Sequence, residues 1–373
     1  MSRWPDNRLT DLLGIAHPIV QAPMKGTTTP ALAAAVSNAG GLGSLGCAYL
    51  PPEDLAALLG EMRRRTNRPF NLNFFAHGPV APDPEALDRA RARLAPFYAE
   101  KNLDPPPERL EPAPEAFAPS HLDALLADPP AVVSFHFGLP AHDAVPRLRE
   151  AGCRILCSAT TVAEARALEA EGCNAIIAQG WEAGGHRGAF AVGADDEGSG
   201  LFALVPQIVD AVSVPVIAAG GIADGRGIAA AFALGAAGVQ LGTAFIRCPE
   251  SAASEAHRAA VAAASDTSTR LTRAHSGRPA RSHRTRYIDA MAAETRDLPH
   301  FPLMYPLSVP LQATGDPDFQ FSLYGQAGAL ARAEPAADLM ARLVEEAGAA
   351  LARLGTGRAP PTRPGAEEPA PAS

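Results

Sequence analysis

Residues 214–243 read VPVIAAGGIADGRGIAAAFALGAAGVQLGT and carry the pattern that decides the fold. Two short apolar runs, Val214–Ala219 and Gly238–Leu241, each predict a buried strand, and the alanine-rich stretch Gly225–Gly235 between them predicts a helix. Strand, helix and strand in this order indicate a β-α-β unit with parallel strands. Each of the two predicted strands is followed at once by glycine.

The same unit recurs upstream. Six more short apolar runs predict strands, at Pro18–Ala22, Gly41–Leu45, Phe70–Phe74, Val132–Phe137, Arg154–Ser158 and Ala175–Gln179. Their nearly continuous apolar character is typical of parallel strands that are buried on both faces. Further helices are predicted at Pro30–Asn38, Pro52–Arg64, Ala141–Glu150, Thr161–Glu171 and Ser199–Ala211. Eight strands alternating with helices favour an α/β fold, the TIM (β/α)8 barrel, over an open doubly wound sheet.

The chain of 373 residues is longer than one barrel needs, because such a barrel takes roughly 250 residues. We expect the barrel core over residues 10–250, with a proline-rich insertion at 77–130. A second excursion, or lid, is expected at 251–328, and a C-terminal helix at 329–354 that packs on the barrel. Residues 355–373 are rich in proline, alanine and glutamate, which predicts a disordered tail. Within the insertion, helices are predicted near Glu85–Glu100 and His121–Asp128.

Composition narrows the class of protein. The net charge is −8 and no basic run stands out, so neither nucleic acid nor a membrane surface is an expected partner. The N-terminus is polar and no apolar run reaches the length of a membrane span, so we expect a soluble, cytoplasmic protein. The five cysteines have no paired spacing, which predicts buried free thiols and no metal site. No pattern specifies an oligomeric state.

Glycine follows the last two predicted strands, at the face where such barrels carry their active sites. The turns contain Gly220 and Gly221 after one strand, and Gly242 and Thr243 after the other. Glycine leaves main-chain N–H groups accessible, and these two turns form the phosphate site of many barrels. The four residues therefore predict a phosphate site, to which Thr243 adds a hydroxyl. The alternative is that the glycines only permit tight turns.

The loop after the sixth predicted strand contains the most specific motif, Gly184-Gly185-His186. Paired glycines let the main chain approach a flat ligand. A histidine whose pKa lies near its usual value of about 6.5 can accept a proton near neutral pH. We therefore predict that His186 is catalytic; the alternative is that it caps neighbouring main chain.

Three more polar residues lie at the ends of predicted strands, namely Asn73, His136 and Gln179. An amide can both donate to and accept from the polar edge of such a flat ligand, which suits Asn73 and Gln179. Either amide can instead tie down neighbouring main chain. His136 is a second catalytic candidate, which either binds substrate or hydrogen-bonds main chain beneath the flat ligand. The convergence of these residues on one barrel face favours function.

Six segments together resemble the nitronate monooxygenases, formerly called 2-nitropropane dioxygenases, and the class I members in particular. The segments are Gln21–Met24, Ser134–Gly138, Ala178–Gly180, Glu182–Gly188, Ala219–Ile222 and Gln240–Thr243. They occur in the right order, and the resemblance spans about residues 10–350. It implies an enzyme that uses flavin mononucleotide (FMN) without a metal. The implied reaction is the oxidative denitrification of alkyl nitronates, such as propionate 3-nitronate, with O2.

The resemblance also implies roles for single residues. His186 matches the active-site histidine of the family, and Lys25 stands where the family often has alanine. The residues expected to contact FMN are Ala22, Pro23, Met24, Asn73, Gln179, Gly184, Gly185, Gly220, Gly221, Gln240, Leu241, Gly242 and Thr243.

Two alternative functions remain open. FMN-dependent enoyl-acyl-carrier-protein reductases and a group of NADH:quinone reductases share the fold and a similar Gly-Gly-His motif, so an NAD(P)H-dependent reductase is the first alternative. A flavin-binding protein without turnover is the second, and the presence of His186 argues against it.

Overall fold

The computed structural model describes residues 4–113, 115–140, 143–191, 198–292 and 297–356. The strands in this part of the chain are β1 (Ile19–Gln21), β2 (Gly43–Gly46), β3 (Phe70–Phe75), β4 (Val132–His136), β5 (Arg154–Ala159), β6 (Ala175–Gln179), β7 (Gly185–His186), β8 (Val216–Ala219), β9 (Gly238–Leu241), β10 (Thr269–Thr272) and β11 (Ala280–His283). Eight of them pair in parallel in the order β1-β9-β8-β6-β5-β4-β3-β2. A parallel bridge from Val20 to Leu42 brings β1 and β2 together, so the sheet forms a nearly closed barrel. The predicted TIM barrel is confirmed.

Helices alternate with the barrel strands. They are α1 (Arg8–Leu13), α2 (Pro30–Asn38), α3 (Pro52–Arg65), α4 (Pro84–Glu100), α5 (Pro119–Ala127), α6 (Ala144–Glu150), α7 (Val162–Ala170), α8 (Leu201–Val209), α9 (Gly225–Ala233), α10 (Thr243–Ile246), α11 (Glu255–Ala262), α12 (Arg286–Ala290), α13 (Tyr305–Ala313) and α14 (Ala336–Thr356). Side-chain caps fix several starts. For example, Asp224 accepts hydrogen bonds from the main chain of Arg226 and Gly227 and so begins α9.

The barrel strands are buried on both faces, as their apolar runs predict. Ile176 and Ile177 are successive residues of β6, and both are buried. Ile176 packs in the core between the sheet and the helices, whereas Ile177 packs with Leu156 and Ile217 inside the barrel. Because successive side chains of a strand point to opposite faces, this division is what a closed parallel sheet surrounded by helices requires.

The two long elaborations pack against each other. A separate apolar core joins α4, from the insertion at 77–130, to α12 and α13, from the excursion at 251–328. The Tyr98 hydroxyl donates to the main-chain oxygen of Leu307 at 2.7 Å, and Lys101 forms an ion pair with Asp316. The excursion is therefore fixed to the insertion by an apolar core, a hydrogen bond and an ion pair.

The C-terminal helix α14 packs on α9 and α2. Its Glu346 carboxylate accepts a hydrogen bond from the main chain of Gly225 at 3.1 Å. Most of the predicted disordered tail, residues 357–373, lies outside the described residues. All five cysteines are buried free thiols. No helix in the described ranges is long and apolar enough to cross a membrane.

Candidate functional site

A cavity of about 580 Å3 opens at the carboxyl ends of the barrel strands. It brings together Ala22, Pro23, Met24, Asn73, His136, Gln179, Gly184, Gly185, His186, Gly220, Gly221, Gln240, Gly242 and Thr243. Of the predicted site residues only Leu241 does not line it, because this side chain is fully buried in the apolar core. The described residues that line the cavity include Lys25 but no arginine, aspartate or glutamate.

The glycine turns after β8 and β9 form one corner of this cavity. Gly220 and Gly221 have φ values of 121° and 67°, which few other residues tolerate. The main-chain N–H groups of Gly221, Ile222, Gly242 and Thr243 donate no hydrogen bond within the described residues. The Thr243 hydroxyl accepts from Gly325 N at 2.9 Å and keeps its own proton to donate. This corner therefore presents unpaired donors, as an anion site does.

The three amide side chains of the cavity differ in how they are bonded. The Gln240 Oε1 atom is buried and has no partner among the described residues. Asn73 donates from Nδ2 to Ser134 Oγ at 2.9 Å. Both ends of the Gln179 amide bond the loop that follows it. Its Nε2 atom donates to His186 O at 2.9 Å, and its Oε1 atom accepts from Gly188 N at 2.7 Å. Gln179 thus ties down main chain, which is the alternative raised by the sequence.

His186 belongs to β7, which pairs with β11 of the excursion in a small antiparallel sheet. Its Nε2 atom lies 3.0 Å from Ser276 Oγ and 3.4 Å from the Tyr305 hydroxyl. Burial first, and then the nearby His136 and Arg278, lower the pKa of His186 to about 3. The expected pKa near 6.5 is therefore wrong, because the excursion covers this side chain. At neutral pH His186 is uncharged.

His136 is bonded at both ring nitrogens. Its Nε2 atom donates to the main-chain oxygen of His186 at 3.1 Å, and its Nδ1 atom lies 3.0 Å from Ser158 Oγ. Because a carbonyl oxygen only accepts, Nε2 carries the proton and Nδ1 accepts from the Ser158 hydroxyl. Burial lowers the pKa of His136 to about 4. This geometry favours the role of holding main chain over that of a free catalytic base.

Aromatic residues that the sequence did not single out complete the cavity. Tyr305 and Phe321 come from the excursion, and Phe75 ends β3; all three rings lie against His186 at centroid distances of 6.1–6.3 Å. The Lys25 ammonium lies 4.9 Å from the centre of the Tyr49 ring, at the open side. The signal for Phe75 was available, since it comes directly after the predicted strand Phe70–Phe74. Tyr305 and Phe321 lie in a region without strand periodicity.

Comparisons with known proteins show the family of this chain. A family model described as nitronate monooxygenase matches residues 6–346. The nitronate monooxygenase of Pseudomonas aeruginosa is 48% identical over 349 residues, which cover 91% of this chain and 99% of that protein. The nitronate monooxygenase of Paraburkholderia phytofirmans is 44% identical and covers 91% of this chain and 94% of its own length.

Solved structures are similar to this chain over nearly its whole length. The nitroalkane oxidase from Streptomyces ansochromogenes superposes with a TM-score of 0.85 at 40% identity, and 93% of this chain and 99% of that chain are covered. FabK from Thermotoga maritima superposes with a TM-score of 0.74 at 30% identity, with coverages of 94% and 99%. Since the match in sequence extends over nearly the whole barrel and both elaborations, this chain belongs to the nitronate monooxygenase family of oxidoreductase enzymes.

Proposed function

We propose that this protein binds FMN in the barrel cavity and uses it, with O2, for the oxidative denitrification of alkyl nitronates such as propionate 3-nitronate. The observation that carries the proposal is the buried imidazole of His186, whose pKa burial lowers, in the same cavity as a corner of unpaired main-chain donors. The first suits an anionic substrate that has already lost its proton, and the second suits a phosphate.

The residues present fit FMN. The N–H groups of Gly221, Ile222, Gly242 and Thr243 would bind its phosphate. The unpaired Gln240 Oε1 would accept from the polar edge of the flavin, and Asn73, which lines the same cavity, would bond that edge as well. Bound FMN would take electrons from the substrate and pass them to O2. The remaining cavity-lining residues would contact the rest of the cofactor, namely Ala22, Pro23, Met24, Gly184, Gly185 and Gly220. Gln179 bonds main chain and Leu241 does not line the cavity, so we propose no FMN contact for either.

The low pKa of His186 favours a nitronate over a neutral nitroalkane. A nitroalkane must first lose its α-proton, and a general base works best when its pKa lies near the working pH. His186, with its pKa lowered to about 3, is a weak proton acceptor. A nitronate needs no base. When Nε2 accepts from the Ser276 or the Tyr305 hydroxyl, the proton of the neutral imidazole lies on Nδ1, which can donate to the nitronate oxygens. His136 would hold the main chain that presents His186.

His186→Ala should lower kcat/KM for a nitronate about 10- to 100-fold, since a hydrogen bond to a charged group contributes about 1.5–3 kcal/mol. His186→Gln, which keeps an N–H donor, should retain more activity. FMN content should stay at the wild-type level in both variants, because the phosphate corner lies on other loops. Steady-state kinetics with flavin quantification would check this. Full activity in His186→Ala would show that His186 takes no part in the reaction.

Lys25→Ala should raise KM about three- to five-fold for a nitronate that also carries a carboxylate, as expected for one partly exposed charge pair. The KM for a nitronate with a neutral alkyl group should change less. The chain offers a matched control, since Lys101 is its only other lysine and pairs with Asp316 and Glu100 away from the cavity. Lys101→Ala should leave both KM values unchanged. Equal effects on the two substrates would show that Lys25 does not bind the carboxylate.

A second candidate function is reduction with NAD(P)H. It is favoured by the likeness to FabK from Thermotoga maritima and by the similar Gly-Gly-His motif of FMN-dependent enoyl-acyl-carrier-protein reductases. An oxygen-uptake screen of the purified protein distinguishes the candidates. We expect uptake with propionate 3-nitronate and little with the neutral nitroalkane or with NADH plus quinone. Oxygen uptake with NADH, or reduction of a quinone by NADH, in the absence of nitronate would favour the reductase. No turnover of any of these substrates would favour a binding protein.

A further inference from the structure

The segment that carries His186 is held in place mainly by side chains. Main-chain pairing ends at Arg187, whose N–H donates to Pro279 O at 2.9 Å. From there to Ala191, the other main-chain groups with a hydrogen bond among the described residues are bonded by side chains on other elements. Gln179 bonds Gly188 N, as described above. Two further side chains, Glu164 and Arg278, bond the rest of the segment.

Glu164, on α7, bonds the N–H groups of this segment. It is fully buried, and its Oε1 atom accepts from Phe190 N at 2.7 Å and from Ala191 N at 2.9 Å. Its Oε2 atom accepts from the main-chain N and the hydroxyl of Thr160, both at 2.7 Å. Burying a carboxylate is costly unless its oxygens are hydrogen-bonded. Four donors therefore fix this carboxylate and, through it, residues 190 and 191.

Arg278, on the excursion, bonds the carbonyl groups of the same segment. Its guanidinium donates to Arg187 O at 3.4 Å and to Ala189 O. It also lies over the Phe137 ring at 3.8 Å from the ring centre. Burial lowers the pKa of Arg278 to about 10, and the charge of Glu164 acts in the opposite direction. The guanidinium remains charged at neutral pH.

We propose that Glu164 and Arg278 are positioning residues for His186, because they hold the segment 187–191 that follows it. The buried anion of Glu164 faces N–H groups of this segment, and the buried cation of Arg278 faces its carbonyl groups. Each charge meets the matching end of the peptide dipoles, so the two side chains hold the loop from opposite sides. The His186 carbonyl is fixed at the same time by Gln179 and His136. Together these contacts set where the imidazole stands in the cavity. This inference rests on the proposed function only where activity is the measurement.

The test compares Glu164→Gln with Glu169→Gln. Glu169 lies on the same helix and likewise bonds main chain, at Ser213 N (2.7 Å) and Val214 N (3.2 Å), in the loop before β8. A glutamine at 164 cannot accept from both sides at once, because its amide nitrogen only donates. We expect hydrogen exchange at Phe190 and Ala191 to become about 100-fold faster in Glu164→Gln, since local opening governs exchange. In Glu169→Gln it should stay at the wild-type rate.

Activity gives the second readout. In Glu164→Gln, kcat/KM for a nitronate should fall about 10- to 100-fold, as expected for a reacting group that is displaced by an ångström or less. FMN content should not change. In a His186→Ala background the same substitution should cost less than about two-fold, because the two effects share one cause. Glu169→Gln should leave kcat/KM unchanged in both backgrounds.

If Glu164→Gln does not fold, Arg278→Lys gives the same test, because lysine keeps the charge but not the planar donor pair. Wild-type exchange at Phe190 and Ala191 in the variant would overturn the inference. So would an equal loss of activity with and without His186, since Glu164 would then act elsewhere. The exchange measurement needs no substrate. A wild-type protein that does not turn over nitronates would therefore contradict the proposed function and not this assignment.

Discussion

Gly221→Val should abolish FMN binding, with an increase in Kd of about 100-fold or more. Gly221 has a φ of 67°, which a β-branched residue does not tolerate, and a Cβ there would lie 3.3 Å from the Glu182 side chain. The turn must move, and the N–H groups of Gly221 and Ile222 would leave the phosphate. Two hydrogen bonds to a charged group contribute about 3 kcal/mol or more, which corresponds to the stated factor.

Gly152→Val is the matched control. Gly152 has a φ of 92°, so the variant carries the same kind of backbone strain, but a Cβ there meets nothing within 4 Å. It follows α6 and does not line the cavity. Flavin released on denaturation, together with circular dichroism of the fold, would check both variants. A Gly221→Val protein that folds and retains full FMN would show that the phosphate binds elsewhere.

Acidification below pH 6.5 should destabilise the protein steeply. His136, His186 and His275 are buried, and burial lowers their pKa values to about 4, 3 and 3. In the unfolded chain each has a pKa near 6.5, so between pH 6.5 and about 4 the unfolded state binds more protons. The free energy of unfolding should then fall by about 1.4 kcal/mol per pH unit for each group, on the order of 4 kcal/mol per unit for the three.

His275 allows this pH dependence to be checked at a residue that does not line the cavity. Neither of its ring nitrogens has a hydrogen-bond partner among the described residues, and its ring stacks on Phe321. His275→Phe should therefore keep the packing and remove about a third of the pH dependence. Urea unfolding at several pH values would measure the slope in both proteins. A slope near zero in the wild type, or an unchanged slope in His275→Phe, would contradict the burial of uncharged histidines.

The barrel strands could be predicted closely from the sequence. Ala175–Gln179 and Gly238–Leu241 are predicted with the bounds that β6 and β9 have in the structure. A strand buried on both faces is a short apolar run that is stopped by a turn residue, and such a run can be read locally. The last two barrel strands, β8 and β9, fix the positions of the two glycine turns that follow them. For this reason the residues around the cavity floor could be found without coordinates.

The excursion could not be predicted in the same way. Ser276, Tyr305 and Phe321 reach His186 through long-range packing that leaves no periodic pattern in the sequence. The lowered pKa of His186 is a consequence of that packing, which is why the sequence suggested an ordinary value. Likewise, the position of Gln179 at a strand end is consistent with a hydrogen bond to a ligand and with hydrogen bonds that tie down neighbouring main chain. Only the bonds to His186 and Gly188 identify the tie.

Nitronates, and not nicotinamides, are the substrates that we propose for the cavity that holds His186. The direct measurement is to mix the purified flavin-containing protein, without oxygen, with propionate 3-nitronate in one sample and with NADH in another, and to follow the flavin absorbance. We expect the spectrum to change rapidly with the nitronate, more slowly in His186→Ala, and to stay constant with NADH. Rapid bleaching by NADH with no response to the nitronate would contradict the proposed function.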